Sequence, residues 1–454
     1  MDRKFVTRRV CEILGEAGFD AYIVGGTVRD RLLTGRTSGD IDIATDATPK
    51  QVKKLFSKLE MKVIPVGEKF GTVQVLIEGG REYQIEITTY RSEGKYTDKR
   101  HPDEVKFEKD LIKDLERRDF TMNAIAFDPI NRVTIDPFNG IDDIDAGIIR
   151  AVGNPTERFE EDPLRMMRMC RFSGKLGFLV EQETLDAGIK LHKLINKIPA
   201  ERIRDELLKI LGVENLTFAF HYLRITGLLK EILPEVARLR GIPQPRRHHK
   251  FDVLTHSIQT VSGLPRNKPY LRLAGLLHDI GKLEMAQNPP YFAGHDNDGV
   301  KMAKDILKRL KVSNTKTDYV LFIIKRHMDG FNSLRKFSKK SARRYLSKIE
   351  NVKWLPDLHA HIVADIIASG YWKPQSIRQV DKWMDKLFTV MEEHQPFTKK
   401  DLVINGHDLI KLGIPPSATL GRIQQSLLEE VIENPDLNTR EYLLKRAGEL
   451  FHDL

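Results

Sequence analysis

Apolar positions in the first third of the chain alternate between two periods. Phe5, Val6, Val10, Ile13 and Leu14 recur at helical spacing and Gly18 closes the pattern, which predicts an amphipathic helix over 5–18. Residues 21–24 then read as a short strand running into Gly25-Gly26, with a helix starting near Thr27. Period-two alternation returns at 41–44, 73–77 and 83–88, the last two separated by Gly79-Gly80 as in a hairpin. Beyond about residue 150 the helical period takes over and strand patterns disappear. The expectation is an α/β head built on a mixed sheet, followed by a long all-α remainder. Pro234, the stretch 241–245 and the basic run Arg246-Arg247-His248-His249-Lys250 mark a joint, and another break falls near Gln395-Pro396. These breaks divide the chain into a head (1–150), a helical neck and body (151–240), a second helical domain (241–395) and a helical tail (396–454).

Composition narrows the classes. The 454 residues exceed what one core can organise, and 41% hydrophobic with 30% charged residues excludes a disordered or fibrous chain. A net charge of +10 favours a polyanionic partner such as nucleic acid. Two cysteines, Cys11 and Cys170, exclude a disulfide framework and a Cys-rich zinc module, and suit a reducing cytosol. Glu12 interrupts the only apolar stretch near the N-terminus, and no run approaches the roughly 20 apolar residues of a membrane helix. A cytoplasmic protein with no membrane partner is expected.

Candidate chemistry begins at Gly25-Gly26-Thr27-Val28-Arg29-Asp30, a strand–Gly-Gly–helix junction. Main-chain N–H groups at such a turn make an anion site, and Arg29 adds a positive charge. Downstream, Asp40 and Asp42 fall on one face of a strand, with Ile41 and Ile43 on the other. Adjacent carboxylates repel each other unless a cation neutralises them, so the pair suggests two Mg²⁺ ions for phosphoryl transfer. A solvated edge strand is the plain alternative for an isolated D-x-D. Glu86 alternates onto the polar face of its own strand, where it can serve as a third carboxylate.

GG-x-V-RD, D-x-D, the segment 67–72 (GEKFGT), EITTYR and RRDFTMNA (117–124) follow one another in order, joined by DKRHP (98–102) and DPFNG (136–140). Together they resemble the head of class II tRNA nucleotidyltransferases, in the polymerase-β-like superfamily. The resemblance implies that Asp40 and Asp42 hold the catalytic metals, and extends less securely to Glu86. It also makes 98–102 the family's flexible loop, with Asp98 and Arg100. Arg118 and Asp119 are expected at the start of a helix, with Asp119 as its N-cap and Arg118 facing the triphosphate or ribose.

In the neck, 160–172 reads as one helix opened by Pro163, with Asp162, Arg165, Arg168 and Arg171 in a polar stripe and Leu164, Met167 and Cys170 in an apolar one. A solvated ion-pair ladder is the ordinary reading of such a stripe. In the resembled family, E-D-x-x-R replaces a template strand, which implies that Asp162 and Arg165 read the Watson–Crick edge of CTP or ATP. Arg168 and Arg171 would then bind phosphates or stack on the base.

The segment 271–282 is apolar and ends in His278-Asp279, with His256 upstream and His295, His327 and Asp365 downstream. This ordered set resembles the HD phosphohydrolase superfamily. It implies a site of His256, His278, Asp279 and Asp365 for a divalent transition metal, with His295 and His327 allowing a second ion. Some tRNA nucleotidyltransferases carry such a domain acting on phosphomonoesters or 2′,3′-cyclic phosphates; the helices can equally serve to grip tRNA. The segments 401–410 and 422–428 resemble the family's bacterial tails. The expected function is template-independent addition of CCA to tRNA from CTP and ATP. The alternatives are an enzyme adding only the terminal A, a poly(A) polymerase, and an HD hydrolase with a degenerate head. VGEKFGTVQV, in place of a Gly-Arg-Arg-Phe-like segment, weighs against the polymerase. The loop residues Asp98 and Arg100 weigh against a CC-only enzyme.

Overall fold

The alternation seen in the head becomes a sheet whose two faces do different work. The computed structural model describes all residues except 1–2, 36–40, 69–70, 79–81, 94–104, 286–291, 330–336 and 454, so Asp40, Asp98 and Arg100 lie outside the described residues. The chain divides into two compact units, Met1–Ala237 with Lys308–Val312, and Arg238–Leu307 with Ser313–Leu454.

In the first unit, α1 (Arg3–Glu16) precedes β1 (Ala21–Val24), α2 (Gly26–Thr34), β2 (Ile41–Thr45), α3 (Pro49–Lys58), β3 (Lys62–Gly67), β4 (Thr72–Glu78) and β5 (Glu82–Thr89). There follow β6 (Arg91–Glu93), β7 (Val105–Phe107), α4 (Leu111–Glu116), β8 (Ala126–Asp128), β9 (Val133–Ile135), α5 (Gly140–Ala146) and β10 (Ile148–Ile149). The main sheet has the order β3-β4-β5-β2-β1-β8-β9. It is mixed, because β2 pairs parallel to β5 while β1 pairs antiparallel to both β2 and β8. Val6, Val10 and Leu14 of α1 and Val52 and Phe56 of α3 cover Ile41, Ile43, Val73, Val75, Ile85 and Ile87 in one core. Thr48 and Gln51 form a capping box that starts α3. The sheet's other face carries the polar residues between those apolar ones.

Helix 5–18 and the strands at 21, 41, 73 and 83 all form, with bounds shifted by a residue or two. Patterning did not reveal β3, and β6 to β10, with β11 (Leu179–Val180), are two or three residues each, too short to show a period. The neck departs from expectation. Residues 160–172 are not one helix but two, α6 (Pro155–Glu161) and α7 (Leu164–Leu176), separated by Asp162 in an extended conformation (φ −132°). The ring of Pro163 disfavours a helical residue before it, so the break falls at Asp162. Asp162 is therefore not part of the α7 stripe.

In the second unit the described helices Val253–Ser262, Pro269–Leu277, His295–Arg309, Asn314–Arg326 and Leu355–Ala368 carry or abut the histidines and aspartates expected of the HD set. Leu402, Leu409, Ile423, Leu427, Val431 and Leu443 form a separate apolar core for the last helices. Among the described residues, no helix is long and apolar enough to cross a membrane.

Candidate active site

Asp42 lies in register with Glu86 across the parallel β2–β5 pair, and Glu86 is in turn opposite Gln74 on β4. The flanking Ile41, Ile43, Ile85 and Ile87 are at most 2% exposed, which turns both carboxylates to the opposite face. Gly25 comes within reach of this face. It has φ 71°, and a Cβ built there would lie 3.1 Å from Arg118 Nη1 and 3.6 Å from Asp42 Oδ2. The turn thus needs glycine twice over, for its backbone and for the close approach. It brings the first turn of α2, Arg118 and Asp42 together. Arg118 is anchored by Nη2 donating to Asp114 Oδ2 at 3.1 Å, and Asp114 also accepts from Arg117 Nη2 at 2.6 Å.

Arg29 lies on the first turn of α2, as expected, with its guanidinium held inside the head. It is 2% exposed, donates to Asn123 Oδ1 at 2.6 Å and to Asp30 Oδ1 at 2.5 Å, and lies 5.1 Å from the ring centre of Phe172. It therefore ties α2 to the 117–124 motif and α7. Asp119 is not the N-cap expected of it. The expected helix is a single 3₁₀ turn, Thr121–Asn123, whose cap position is Phe120. Asp119 instead accepts from the Phe120 N–H and Asn123 Nδ2, both at 2.9 Å, and from Arg168 Nε at 2.7 Å. Burial opposes its ionisation, but Arg168 and Asn123 outweigh burial and hold its carboxyl near a pKa of about 2.

That depressed value makes the stability of the head depend on pH. The Asp119–Arg168 pair contributes stability that is complete above the unfolded carboxyl pKa near 4 and is lost as pH falls through 2. Its size is on the order of 2 kcal/mol at one pKa unit per 1.36 kcal/mol. Asp119→Asn should thus narrow the difference in urea midpoint between pH 6 and pH 3. An unchanged difference would remove Asp119 as a source of acid sensitivity.

Asp162 and Arg165 each hold a different partner, not one another. Asp162 Oδ2 accepts from Arg202 Nη2 at 2.9 Å. Arg165 is 7% exposed and donates to Glu161 Oε2 (2.8 Å), the Arg158 carbonyl (3.1 Å) and the Arg117 carbonyl (2.8 Å). Arg165 thereby joins α6, α7 and the 117–124 motif. Arg171 donates to the buried Glu206 at 2.5 Å and lies 4.4 Å from the centre of Phe172, with Arg168 at 5.5 Å. Phe172 is thus ringed by Arg29, Arg168 and Arg171, a cation–π cluster. Sequence reading missed Phe172, Asp114, Arg202 and Glu206, because their roles depend on contacts far along the chain.

The second unit gathers the HD residues tightly. His256 Nε2 lies 2.8 Å from Asp365 Oδ1, and His278 Nε2 lies 3.6 Å from that oxygen and 3.2 Å from Asp279 Oδ2. On the other side, His295 Nε2 is 3.1 Å from Asp279 Oδ1 and 3.1 Å from His327 Nε2. Among the described residues these form two buried donor sets fit for metal ions, His256–His278–Asp365 and Asp279–His295–His327. Asp279 faces both through its two oxygens. The Nδ1 atoms of His278, His295 and His327 meet the carbonyls of Gly275, Ile324 and Phe292 within 2.6–2.9 Å, those of Ile324 and Phe292 serving His327 and His295 respectively. That leaves each Nε2 aimed inward as a lone-pair donor.

Burial disfavours a charge on His278, yet Asp279 and Asp365 outweigh it and push its pKa up to about 10. His327, crowded by burial and by His278, is pushed down to about 4. Burial opposes ionisation of Asp279 and Asp365, but the surrounding cations hold both well below the carboxylate range. A buried cluster that recruits protons to balance two carboxylates is one a divalent cation can occupy by displacing them. Gly281 makes the assembly possible: a Cβ there would lie 2.0 Å from the His295 carbonyl oxygen. Two neighbours escaped the sequence reading. Lys282 Nζ bridges Asp279 Oδ2 (2.6 Å) and Gln244 Oε1 (2.8 Å). His361, one helical turn before Asp365, is fully buried, neither ring nitrogen meets a hydrogen-bond partner among the described residues, and its ring centre is 5.1 Å from that of His278.

Comparison with known proteins places this geometry. The Poly A polymerase head domain model matches residues 21–150, and that of an RNA- and SrmB-binding site of polymerase A matches 177–239. An HD domain model matches 221–365, spanning His256 to Asp365, and tRNA nucleotidyltransferase domain 2 matches 297–447. The CCA-adding enzyme of Ligilactobacillus salivarius is 34% identical over 448 residues, covering 98% of this chain and 96% of that protein. The chain belongs to the CCA-adding enzyme family. The family's enzyme from Anoxybacillus flavithermus is also 34% identical, over 441 residues, 96% of this chain and 95% of its own. Among solved structures, the Bacillus stearothermophilus CCA-adding enzyme in complex with CTP has a TM-score of 0.71 at 28% identity, covering 100% of this chain and 99% of that one.

Proposed function

We propose that this chain adds CCA to the 3′ end of tRNA from CTP and ATP in the cytoplasm, without a nucleic-acid template, releasing pyrophosphate. The observation that carries this reading is Asp42 in register with Glu86, facing the Gly25 turn and Arg118. Two oxygen-donor carboxylates side by side suit Mg²⁺. Asp42 and Glu86, with Asp40 of the D-x-D pair, would hold two such ions. Once bound, the ions favour attack by the tRNA 3′-hydroxyl and departure of pyrophosphate. Gly25, Gly26 and the first turn of α2 receive the triphosphate, with Arg118 beside them. Arg29 acts through Asn123 and Asp30, fixing the turn's position. Asp162 and Arg165 present the base-reading edge. Among the described residues, Arg165 makes three hydrogen bonds, two from Nη1 and one from Nη2, which leaves two of the guanidinium's five N–H donors to offer a base. Arg168 and Arg171 orient that edge by clamping Asp119, Glu206 and Phe172.

Sequencing the products of tRNA lacking CCA, made with CTP alone, ATP alone or both, tests the assignment. CC with CTP alone and CCA with both nucleotides is the expected result. Incorporation only of A, and only on tRNA already ending in CC, would make it an A-adding enzyme. Long A tails would make it a poly(A) polymerase.

The base-reading role has its own test. Arg165→Ala should lower kcat/KM for ATP on tRNA ending in CC by about 1–3 kcal/mol relative to UTP and GTP. Because Arg165 also ties three segments together, stability should fall too, but a purely structural residue would lower all four nucleotides alike. An unchanged preference for ATP would remove the template role.

The HD cluster supports a second activity in the same chain. Its two donor sets, bridged by Asp279, would hold divalent transition-metal ions and hydrolyse phosphomonoesters or 2′,3′-cyclic phosphates. The domain limits we propose are a head over 1–150, a neck and body over 151–240, the HD domain over 241–395 and a tail over 396–454.

A further inference from the structure

Beside the HD cluster lies a surface that neither activity explains. Arg246, Arg247, His248 and Lys250 are exposed, and so, at 55% and 46%, are Tyr371 and Trp372. The two stretches are far apart in sequence but fastened together. The Lys250 N–H donates to the Ser369 carbonyl at 2.8 Å, and Gly370 (φ 78°) packs so closely that a Cβ there would lie 2.7 Å from Lys250 Cβ. Lys373, exposed next to Trp372, adds a further charge.

This surface is also tied to the cluster at two points. The His249 ring meets the His256 ring edge-on at 4.8 Å, so the basic run ends against a predicted metal ligand. Gln244, just before the run, accepts from Lys282, which bonds Asp279, and donates to the Phe251 carbonyl at 3.3 Å. On the aromatic side, Asp365 sits in the last turn of the helix Leu355–Ala368, whose end leads through Ser369 into Gly370 and Tyr371.

Exposed aromatic rings are costly to leave in water and supply stacking faces; exposed arginines and lysines supply phosphate contacts. Interleaved, they are the means by which proteins hold single-stranded nucleic acid without sequence preference. We infer that Arg246, Arg247, His248, Lys250, Tyr371 and Trp372 form a grip for a single-stranded RNA end, which delivers its terminal phosphate to the HD cluster. The inference rests on the reading of that cluster as a hydrolase and names its substrate class: an RNA terminus bearing a phosphomonoester or 2′,3′-cyclic phosphate, in preference to a free mononucleotide. On a cyclic terminus, hydrolysis forms one P–O bond to water, breaks one ring P–O bond and leaves the water's proton on the freed ribose oxygen.

The test compares two substrates on the full-length protein loaded with Mn²⁺: an RNA of about five nucleotides ending in a 2′,3′-cyclic phosphate, and cytidine 2′,3′-cyclic phosphate. Tyr371→Ala with Trp372→Ala, and separately Arg246→Ala with Arg247→Ala, should lower the oligonucleotide-to-mononucleotide ratio of kcat/KM at least about ten-fold, through KM. An unchanged ratio in both variants overturns the grip. A second readout needs no turnover. The same oligonucleotide should quench tryptophan emission of the wild-type protein, and Trp372→Phe should abolish that quenching. If the wild-type protein hydrolyses neither substrate, the hydrolase reading fails and the quenching alone decides the grip. Quenching that duplex RNA or inorganic polyphosphate reproduces equally well would mean an unspecific anion surface and would overturn the assignment, because stacking requires unpaired bases.

Discussion

Asp42→Asn should abolish nucleotide incorporation, lowering kcat by roughly a thousand-fold or more while tRNA affinity changes little. Asparagine has nearly the shape of aspartate, and Asp42 lies on the polar face of β2, between core residues whose packing the change does not touch. What it removes is one of the paired charges, set in register with Glu86 and close to the Gly25 turn. That charge matters most when negative charge moves from the triphosphate to the leaving pyrophosphate. Binding of tRNA draws on the phosphate contacts of a chain with net charge +10, where one neutralised carboxylate is a minor change. The neighbouring Ile43, fully buried, serves as a contrast: Ile43→Ala should cost about 2–5 kcal/mol of stability. Full incorporation by a purified Asp42→Asn protein would remove the metal-binding role of this strand.

The difference between those two adjacent residues also shows what was legible in the sequence. A period of two assigns Asp42 and Ile43 to opposite faces with no knowledge of the fold, and the structure keeps that assignment. Alternation likewise put Glu86 on the polar face of its own strand, but the parallel pairing that sets it beside Asp42 joins strands far apart in sequence and became visible only in the structure. The same reasoning put Arg29 on the first turn of α2, where it lies, but its bond to Asn123 spans 94 residues and no local pattern encodes it. At Asp162 the signal was present but outweighed: the three-residue spacing of charges suggested one continuous stripe, while Pro163 had already fixed the backbone before it. In the second unit the ordered His and Asp residues named the six side chains through their resemblance, but the grouping of Asp279 with His295 and His327 as a second donor set came from the structure. Lys282, Gln244 and His361 became visible only through packing, since one lysine, one glutamine and one more histidine carry no spacing of their own.

The second large effect belongs to that cluster. His278→Ala combined with Asp279→Ala should eliminate metal-dependent phosphatase and cyclic phosphodiesterase activity, and bound divalent metal measured by elemental analysis should fall to background. Asp279 is the residue whose two oxygens face both donor sets, so its loss takes one ligand from each. His278 is the inward-facing nitrogen closest to it on the first set. CCA addition should remain within a few-fold of wild type, because Asp42, Glu86, Arg118 and the neck residues lie in a different compact unit from the cluster. The variant does carry a structural penalty. Lys282, 6% exposed, loses its carboxylate partner and, among the described residues, keeps Gln244 and the ring of Phe292, and a buried charge without a counter-ion is destabilising. Asp279→Asn separates the two effects: it retains an oxygen for Lys282 but withdraws the charge that bridges the sets, so metal and hydrolysis should still be lost with less destabilisation. If the folded Asp279→Asn protein holds its metal, Asp279 is not a bridging ligand. If it loses metal and nucleotide addition together while its melting curve stays unchanged, the two activities are coupled through the bound ion, and the separation proposed here is wrong.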